Sequence, residues 1–201
     1  MKVELLTCSD SFYPVCAARR CYSAKSGDDL TNEVGAMSNE DMASFLSKLK
    51  ARGHLSPFEH GSATFAIDGL SRVALAQLTR HRHLSFCVQS SRYTEADGEM
   101  VMPATVAENE KARDLWETSQ SLFLRTYRNL LALGVPKQDA RMVLPQAQTC
   151  NLVVTGNFRA WLEFLPKRQD QAAQWEIREL ANEIGRLLAE AVPEVFGEVS
   201  E

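Results

Sequence analysis

Strand-like and helix-like stretches follow one another along this chain without a regular βαβ rhythm, and that irregular order is what most constrains its fold. Lys2 to Thr7 reads as a first strand, short and rich in Val and Leu. Ser38-Asn39-Glu40-Asp41 has the chemistry of a helix start, with a hydroxyl for an orphan N–H and acids for the positive end of the dipole. Met42, Phe45, Leu46 and Leu49 continue it at helical spacing until Gly53. Ser62 to Asp68 is a second strand with Phe65 and Ile67 on one face, and Ser71 opens a helix carrying Val73, Ala74, Gln77 and Leu78. Pro103 closes a loop, and Val106 to Leu133 forms a long helix with Trp116, Phe123, Tyr127 and Leu130 on one stripe, ended by Gly134 and Pro136. A short helix follows around Asp139 to Leu144, then a strand from Thr149 to Thr155 and a helix from an Asn157 cap to Leu165. The last helix is expected from Asp170, with Ile177, Leu180, Ile184, Leu187, Leu188 and Ala191 as a wide apolar stripe for core or subunit contact. The sum is an α+β fold, a mixed sheet with long helices, in a single domain over residues 1–201.

Composition removes several classes. Hydrophobic residues at 45% can fill a core, and a net charge of -4 with 24% charged residues is not that of a disordered chain. An acidic balance argues against a general nucleic-acid coat, and no run approaches the ~18 apolar residues of a membrane span. No basic region followed by an apolar stretch opens the sequence, so a cytoplasmic, unprocessed protein is expected. Five cysteines (Cys8, Cys16, Cys21, Cys87, Cys150) without C-x-x-C spacing are expected to be reduced, and no metal site is expected. Neither G-x-G-x-x-G nor G-x-x-x-x-G-K-[ST] occurs, so any dinucleotide is held by something other than a Rossmann turn or a P-loop.

From Gly69 to Thr94 the chain reverses its charge: no Asp or Glu, but Arg72, Arg80, Arg82 and Arg92. Arg80, His81, Arg82 and His83 are consecutive, so on a helix they would fan around most of the circumference, which a single solvated face cannot use. At a helix end running into a loop they can converge on a multiply charged anion. Guanidinium forks match phosphate bidentately, each charge-assisted bond contributing roughly 1.5–3 kcal/mol. Ser85, Gln89, Ser90, Ser91 and Tyr93 add neutral donors. Composition leaves two readings, a phosphate site and an exposed basic turn paired with acids from elsewhere.

Spacing adds a resemblance. Arg80-His81-Arg82, seven residues, Ser90 and then Arg92-Tyr93 resembles the signature of the flavin-dependent thymidylate synthases. His54-Leu55-Ser56-Pro57-Phe58-Glu59-His60 is similar to the family's H-x-[ST]-P-F-E-H stretch, and Ser71-Arg72 through Gln77 to its lead-in. Ala140-Arg141-Met142-Val143-Leu144-Pro145 resembles A-R-x-x-L-P, and Asn157-Phe158-Arg159 resembles N-x-R. Arg168 with Ala173-Gln174-Trp175-Glu176-Ile177-Arg178 resembles the closing R…A-Q-x-E-I-R. The five elements keep the family's order from His54 to Ala181.

The resemblance implies that fold and reductive methylation of dUMP to dTMP, with methylenetetrahydrofolate as carbon donor, NADPH as reductant and FAD as intermediary, in a homotetramer with active sites between subunits. It implies dUMP contacts from Gln77, Leu78, Thr79, Arg80, Val88, Gln89, Ser90, Ser91, Arg92, Arg141 and Arg168. It implies FAD contacts from His54, Ser56, Arg80, His81, Arg82, Val88, Asn157, Arg159 and Glu163. Arg168 takes the catalytic role, polarising the uracil so that loss of its N3 proton makes C5 a better nucleophile, a task suited to an always-charged guanidinium. Cys87 need not be a nucleophile, since a reactive thiolate requires a depressed pKa and a base that spacing does not supply.

The chain departs from the family pattern at Cys87-Val88, where Asn-Glu is common, and at Ala172, where some members carry histidine. Glu163 replaces an amide or imidazole and, as an acid, calls for a basic partner; the segment after Met102 is trimmed. The Cys87-Val88 change motivates one alternative, a non-catalytic flavin- or nucleotide-binding relative. Another, an RNA-binding module stacking bases on Phe86 or Tyr93, fits poorly with the acidic total charge and the ordered flanking motifs.

Overall fold

Alternating burial and capped amphipathic stretches give fourteen strands and helices in the computed structural model, which describes residues 1–197. In chain order they are β1 (Lys2–Cys8), α1 (Phe12–Arg20), α2 (Gly27–Gly35), α3 (Asn39–Ala51), β2 (Ser62–Ser71), α4 (Arg72–Leu78), β3 (Leu84–Val88), α5 (Ala104–Ala107) and α6 (Glu110–Ala132). They continue with α7 (Lys137–Ala140), β4 (Thr149–Asn157), α8 (Phe158–Gln169), α9 (Trp175–Ala191) and α10 (Pro193–Phe196). The strands form one sheet in the order β1-β2-β4-β3. Register makes it antiparallel, which narrows the mixed sheet of the α+β expectation: residue numbers fall along β4 as they rise along β2. Thr64 meets Thr155 through their hydroxyls at 2.9 Å, and the Gly69 N–H meets the Asn151 side-chain oxygen at 3.0 Å. No described helix is long and apolar enough to cross a membrane.

The chain forms two compact units: Met1–Lys2, Ile67–Leu78 and Cys87–Leu152 in one, Val3–Ala66, Thr79–Phe86 and the chain from Val153 in the other. In the second, larger unit, α8 packs on α9 and α10 on α3. The apolar stripe of α9 buries Ile177, Leu180, Ile184 and Leu188 completely, leaving Leu187 and Ala191 at its margin. Trp161 of α8 is also fully buried; its indole N–H donates to the carbonyls of Gly156 at 3.0 Å and Ala63 at 3.3 Å. Its ring lies edge-on to Phe65 and to Phe164, with centroids 5.3 and 5.6 Å away, a geometry the aromatic quadrupole favours. Half-buried Lys50 of α3 donates to the Val195 carbonyl at 2.6 Å, tying α3 to α10.

In the smaller unit the core is Ile67, Leu70, Ala74, Leu78, Tyr127, Ala140, Cys150 and Leu152. The long helix expected from Val106 is broken at Asn109, whose side chain caps α6 by accepting from the Ala112 N–H at 3.2 Å. Of the stripe on α6 only Tyr127 is buried, and Leu115, Leu122 and Phe123 stay exposed.

Other ends also moved from their expected places. The α8 helix runs past Pro166 to Gln169, because a proline removes one backbone bond without forcing the chain out of helical φ. Asp170 caps a turn, accepting from the Ala172 N–H at 2.7 Å, and α9 starts later with Gln174 accepting from the Ile177 N–H. The arginines lie in the turn that follows α4, and the stretch after them, to which no element had been assigned, is strand β3.

Gly61 joins the Ser56–His60 turn to β2, and its carbonyl accepts from the Phe158 N–H at 2.9 Å. A Cβ there would overlap the Phe158 ring, which is fully buried and lies edge-on to Phe196. Gly61→Ala should therefore destabilise the protein by roughly 1–3 kcal/mol, read as a lower urea midpoint at unchanged m-value.

Candidate functional site

Three groups of sequence-expected residues gather in the larger unit. Gly53, at φ +72 in the left-handed region, closes α3, and the next N–H, that of His54, donates back to the Leu49 carbonyl at 2.9 Å. Pro57 and Phe58 are buried and anchor the following turn, so that His54, Ser56, Glu59 and His60 remain exposed. His54 and Ser56 line a cavity of about 340 Å³ with Cys21, Tyr22, Pro57 and Arg159. Sequence had offered no signal for Cys21 or Tyr22, which follow α1 in a segment without motif or strong periodicity.

The second group stands at the start of α8. Asn157 is the N-cap, its side-chain oxygen accepting from the Ala160 N–H at 2.8 Å. In the first turn of the helix Arg159 is held by two acids, Glu59 through Nη1 at 2.6 Å and Glu163 through Nε at 3.2 Å. These bonds, Glu59's first, raise the guanidinium's pKa still further above its ordinary value. Arg159 is thus the basic partner that the acid at 163 called for, and the i,i+4 spacing of the pair was the available clue. Asn157, Arg159, Glu163, Glu59 and His83 enclose about 240 Å³. Glu59 and His83 had been quoted as motif or neighbouring residues without a role.

The third group is the turn between α4 and β3. Arg80, His81, Arg82 and His83 line about 280 Å³ together with Glu163 and Lys167. The exposed arginines and Lys167 give this lining an excess of positive charge over the single Glu163 carboxylate. His81 accepts from the Arg168 Nε–H at 2.8 Å and lies edge-on to Phe164, with centroids 4.9 Å apart. Burial, then the charges of Arg168 and Lys167, push the imidazole pKa below its usual value, which favours the neutral ring.

In the smaller unit Arg141 donates through Nη1 to the Ser91 hydroxyl at 2.9 Å and through Nε to the Gln138 carbonyl at 3.1 Å. Ser90 stabilises the following turn: its hydroxyl accepts from the Arg92 N–H at 3.4 Å, and its carbonyl accepts from Tyr93 and Thr94. Gln89 is committed to β4, with its N–H on the Asn151 carbonyl at 2.8 Å and its side-chain oxygen accepting from the Asn151 N–H at 3.2 Å. Val88 and Gln77 are half-buried, Thr79 is exposed, and Leu78 is fully buried, so Leu78 has only backbone groups to offer a ligand.

The larger unit's donor set fits an anionic dinucleotide. Cationic Arg80, Arg82 and Lys167 suit a diphosphate, and the neighbouring cavity beside His54 and Tyr22 offers aromatic and apolar walls to a flat ring. Arg159 is the exception, its charge already matched by two carboxylates.

Comparison with known proteins agrees with this chemistry. Residues 6–194 match the family described as thymidylate synthase complementing protein. The flavin-dependent thymidylate synthase of Geobacter sulfurreducens is 40% identical over 201 aligned residues, covering 98% of this chain and 85% of its own. That of Halobacterium salinarum is 39% identical over 189 residues, covering 81% and 76%. Among solved structures, a UMP/dUMP methylase, PolB, from Streptomyces cacaoi bound with 5-Br dUMP has a TM-score of 0.86 at 26% identity, covering 97% of this chain and 92% of that one. On a match running through nearly all of its length, the chain belongs to the flavin-dependent thymidylate synthase family.

Proposed function

We propose that this chain methylates dUMP to dTMP, with methylenetetrahydrofolate as carbon donor and NADPH as reductant, and that its two compact units serve as one functional domain. The observation that carries the reading is the Arg80–His83 turn: a cationic cavity wall whose His81 holds Arg168, inside a family match that spans both units. The flavin, when bound, would supply the hydride that completes the methyl group. His54, Ser56, Arg80, His81, Arg82, Asn157 and Arg159 are assigned to holding it, with a backbone contribution from Val88, and Glu163 is assigned to the same cavity wall, where its carboxylate tempers the positive charge. Ser90, Ser91, Arg92 and Arg141 are assigned to dUMP, the guanidiniums and hydroxyls suiting its phosphate. Gln77, Leu78, Thr79 and Gln89, with Arg80 and Val88 shared with the flavin, complete the dUMP set, Leu78 through its backbone alone.

Arg168 takes the uracil. Being charged at every working pH, it stabilises negative charge on the ring as the N3 proton leaves, which enriches C5 for carbon–carbon bond formation. Homotetrameric assembly and a cytoplasmic location belong to the same proposal.

Three outcomes test it. Purified protein supplied with FAD, dUMP, methylenetetrahydrofolate and NADPH under low oxygen should form dTMP; a flavin-binding protein without turnover would instead be the non-catalytic relative, and the UMP/dUMP methylase makes UMP a necessary parallel substrate. Arg168→Ala should cut methylation at least ~100-fold while flavin absorbance persists, and unchanged activity would refute the role. Cys87→Ala should keep most activity, whereas complete loss would point to a thiol mechanism.

Glu163 yields a prediction specific to this chain. Its carboxylate both occupies Arg159 and lines the cationic cavity, so it opposes an incoming diphosphate twice. Glu163→Gln should tighten FAD several-fold in a fluorescence titration, and the gain should shrink at high salt. Weaker binding would show that the acid itself contacts the flavin.

A further inference from the structure

We propose that His81 is a positioning residue for Arg168: as a neutral imidazole it accepts the guanidinium Nε–H and sets the plane in which that group meets the substrate. This rests on the role proposed above for Arg168.

The chemistry of the contact leaves one arrangement. A guanidinium carries donors only, so in the 2.8 Å contact between Arg168 Nε and His81 Nε2 the imidazole nitrogen must supply the lone pair. Nε2 is then unprotonated and Nδ1 carries the hydrogen. An imidazolium has no lone pair there and would set two cations against each other. The bond therefore exists only while His81 is neutral.

The ring that accepts is itself held in place. His81 lies edge-on to Phe164, at 4.9 Å and 78°, and Phe164 is fully buried. Phe164 and Arg168 are four residues apart on α8, so they occupy the same face on successive turns. Phe164 in turn lies edge-on to Trp161, which is fixed by its two carbonyl bonds. The guanidinium is thus referenced to the helix twice, through its own backbone and through the imidazole. A long, rotamer-rich side chain in the last turn of a helix needs such a second anchor to present a planar fork in one orientation.

The surroundings keep the ring neutral. Arg168 and Lys167 face it from α8, and Arg80, Arg82 and His83 adjoin it on its own turn. The acid on that cavity wall, Glu163, is bonded to Arg159. Excess positive charge and partial burial both disfavour a further proton. The sign follows: the contact is complete above the depressed pKa of His81 and is lost as pH falls through it.

The test compares full-length wild type, His81→Gln and His81→Leu. A glutamine amide oxygen can accept from Nε at any pH, and leucine cannot accept at all. At matched flavin occupancy, measured by absorbance, His81→Leu should lose roughly 100-fold in kcat with a smaller change in the KM for dUMP. His81→Gln should recover most of that loss and lack the acidic limb of the wild-type pH profile. Equal activity in the leucine variant, no rescue by glutamine, or an acidic limb that persists in the glutamine variant would overturn the proposal. A second readout needs no turnover. In ¹⁵N spectra of the flavin-free chain, the Arg168 Nε–H signal, assigned by its loss in Arg168→Lys, should carry the downfield proton shift of a bond to imidazole in wild type, lose that shift on acidification and lack it in His81→Leu. A wild-type signal indifferent to acid and to the leucine substitution would overturn the contact itself. If that signal behaves as expected but wild type makes no dTMP, the functional reading of Arg168 fails and the hydrogen bond stands.

Discussion

The indole of Trp161 fixes the frame on which the larger unit's chemistry is mounted. Its N–H donates to two strand carbonyls, Gly156 at 3.0 Å and Ala63 at 3.3 Å, which sets the first turns of α8 against β2 and β4. A buried indole N–H without a partner would cost about 1–3 kcal/mol, so the ring has little freedom to turn. Phe65 packs on it from β2 and Phe164 from the next turn of α8. Phe164 then sets His81, and His81 meets Arg168. Strand, indole, phenyl, imidazole and guanidinium form one continuous series of contacts, so a side chain from a turn and one from a helix end reach a defined geometry from a rigid base.

Much of this was legible in sequence, with a boundary that can be located. The helices at Ser38, Asn157 and Arg72 were read from caps and apolar spacing, and the α9 stripe was read residue by residue; each rests on local chemistry that the structure keeps. What escaped depended on partners distant in sequence. No element was read over β3, because a run of five residues is too short to mark a strand until β4 supplies hydrogen bonds. Helices α1 and α2 are short and bury few residues, so no periodicity marked them. Stopping α8 before Pro166 had the largest consequence for the site. It left Arg168 outside the helix and concealed its four-residue relation to Phe164, and hence to His81. The motif residues were found by spacing; apart from the i,i+4 pair of Arg159 and Glu163, which of them touch was not encoded in spacing.

Electrostatics divide the larger unit's site into two regions of opposite character. Arg80, Arg82 and Lys167 leave one wall with excess positive charge, whereas Arg159 is matched by Glu59 and Glu163. Those pairs are about half exposed, so water and salt screen them, and their value lies in orientation more than in stability. With both acids attached, the Arg159 fork is held against the start of α8. Polar ligands that reach it must compete with carboxylates already in place, whereas the Arg80–Arg82 wall has no such competitor among its lining residues beyond Glu163.

The thiols are consistent with the proposed activation of the base by a guanidinium. A cysteine nucleophile requires cations or a base that draw its pKa down. Cys8 moves the other way, pushed up to about 11 by burial and then by Asp10, and Cys16 is also raised, by burial first. Cys150 is buried, with its sulfur on the Leu70 carbonyl at 3.3 Å. Cys21 lines the His54 cavity, but its sulfur turns back to the Ala17 carbonyl of α1 at 3.7 Å. Cys87 lies exposed on β3. The described thiol contacts are to backbone carbonyls, which fits the proposed route in which electron density at C5 is raised without covalent attack. A permanently charged group placed against the ring oxygens does this by stabilising the anion. It serves only if its orientation is fixed, because a freely rotating guanidinium would be solvated by water in place of substrate. The bond to a neutral imidazole meets that requirement without adding charge of its own.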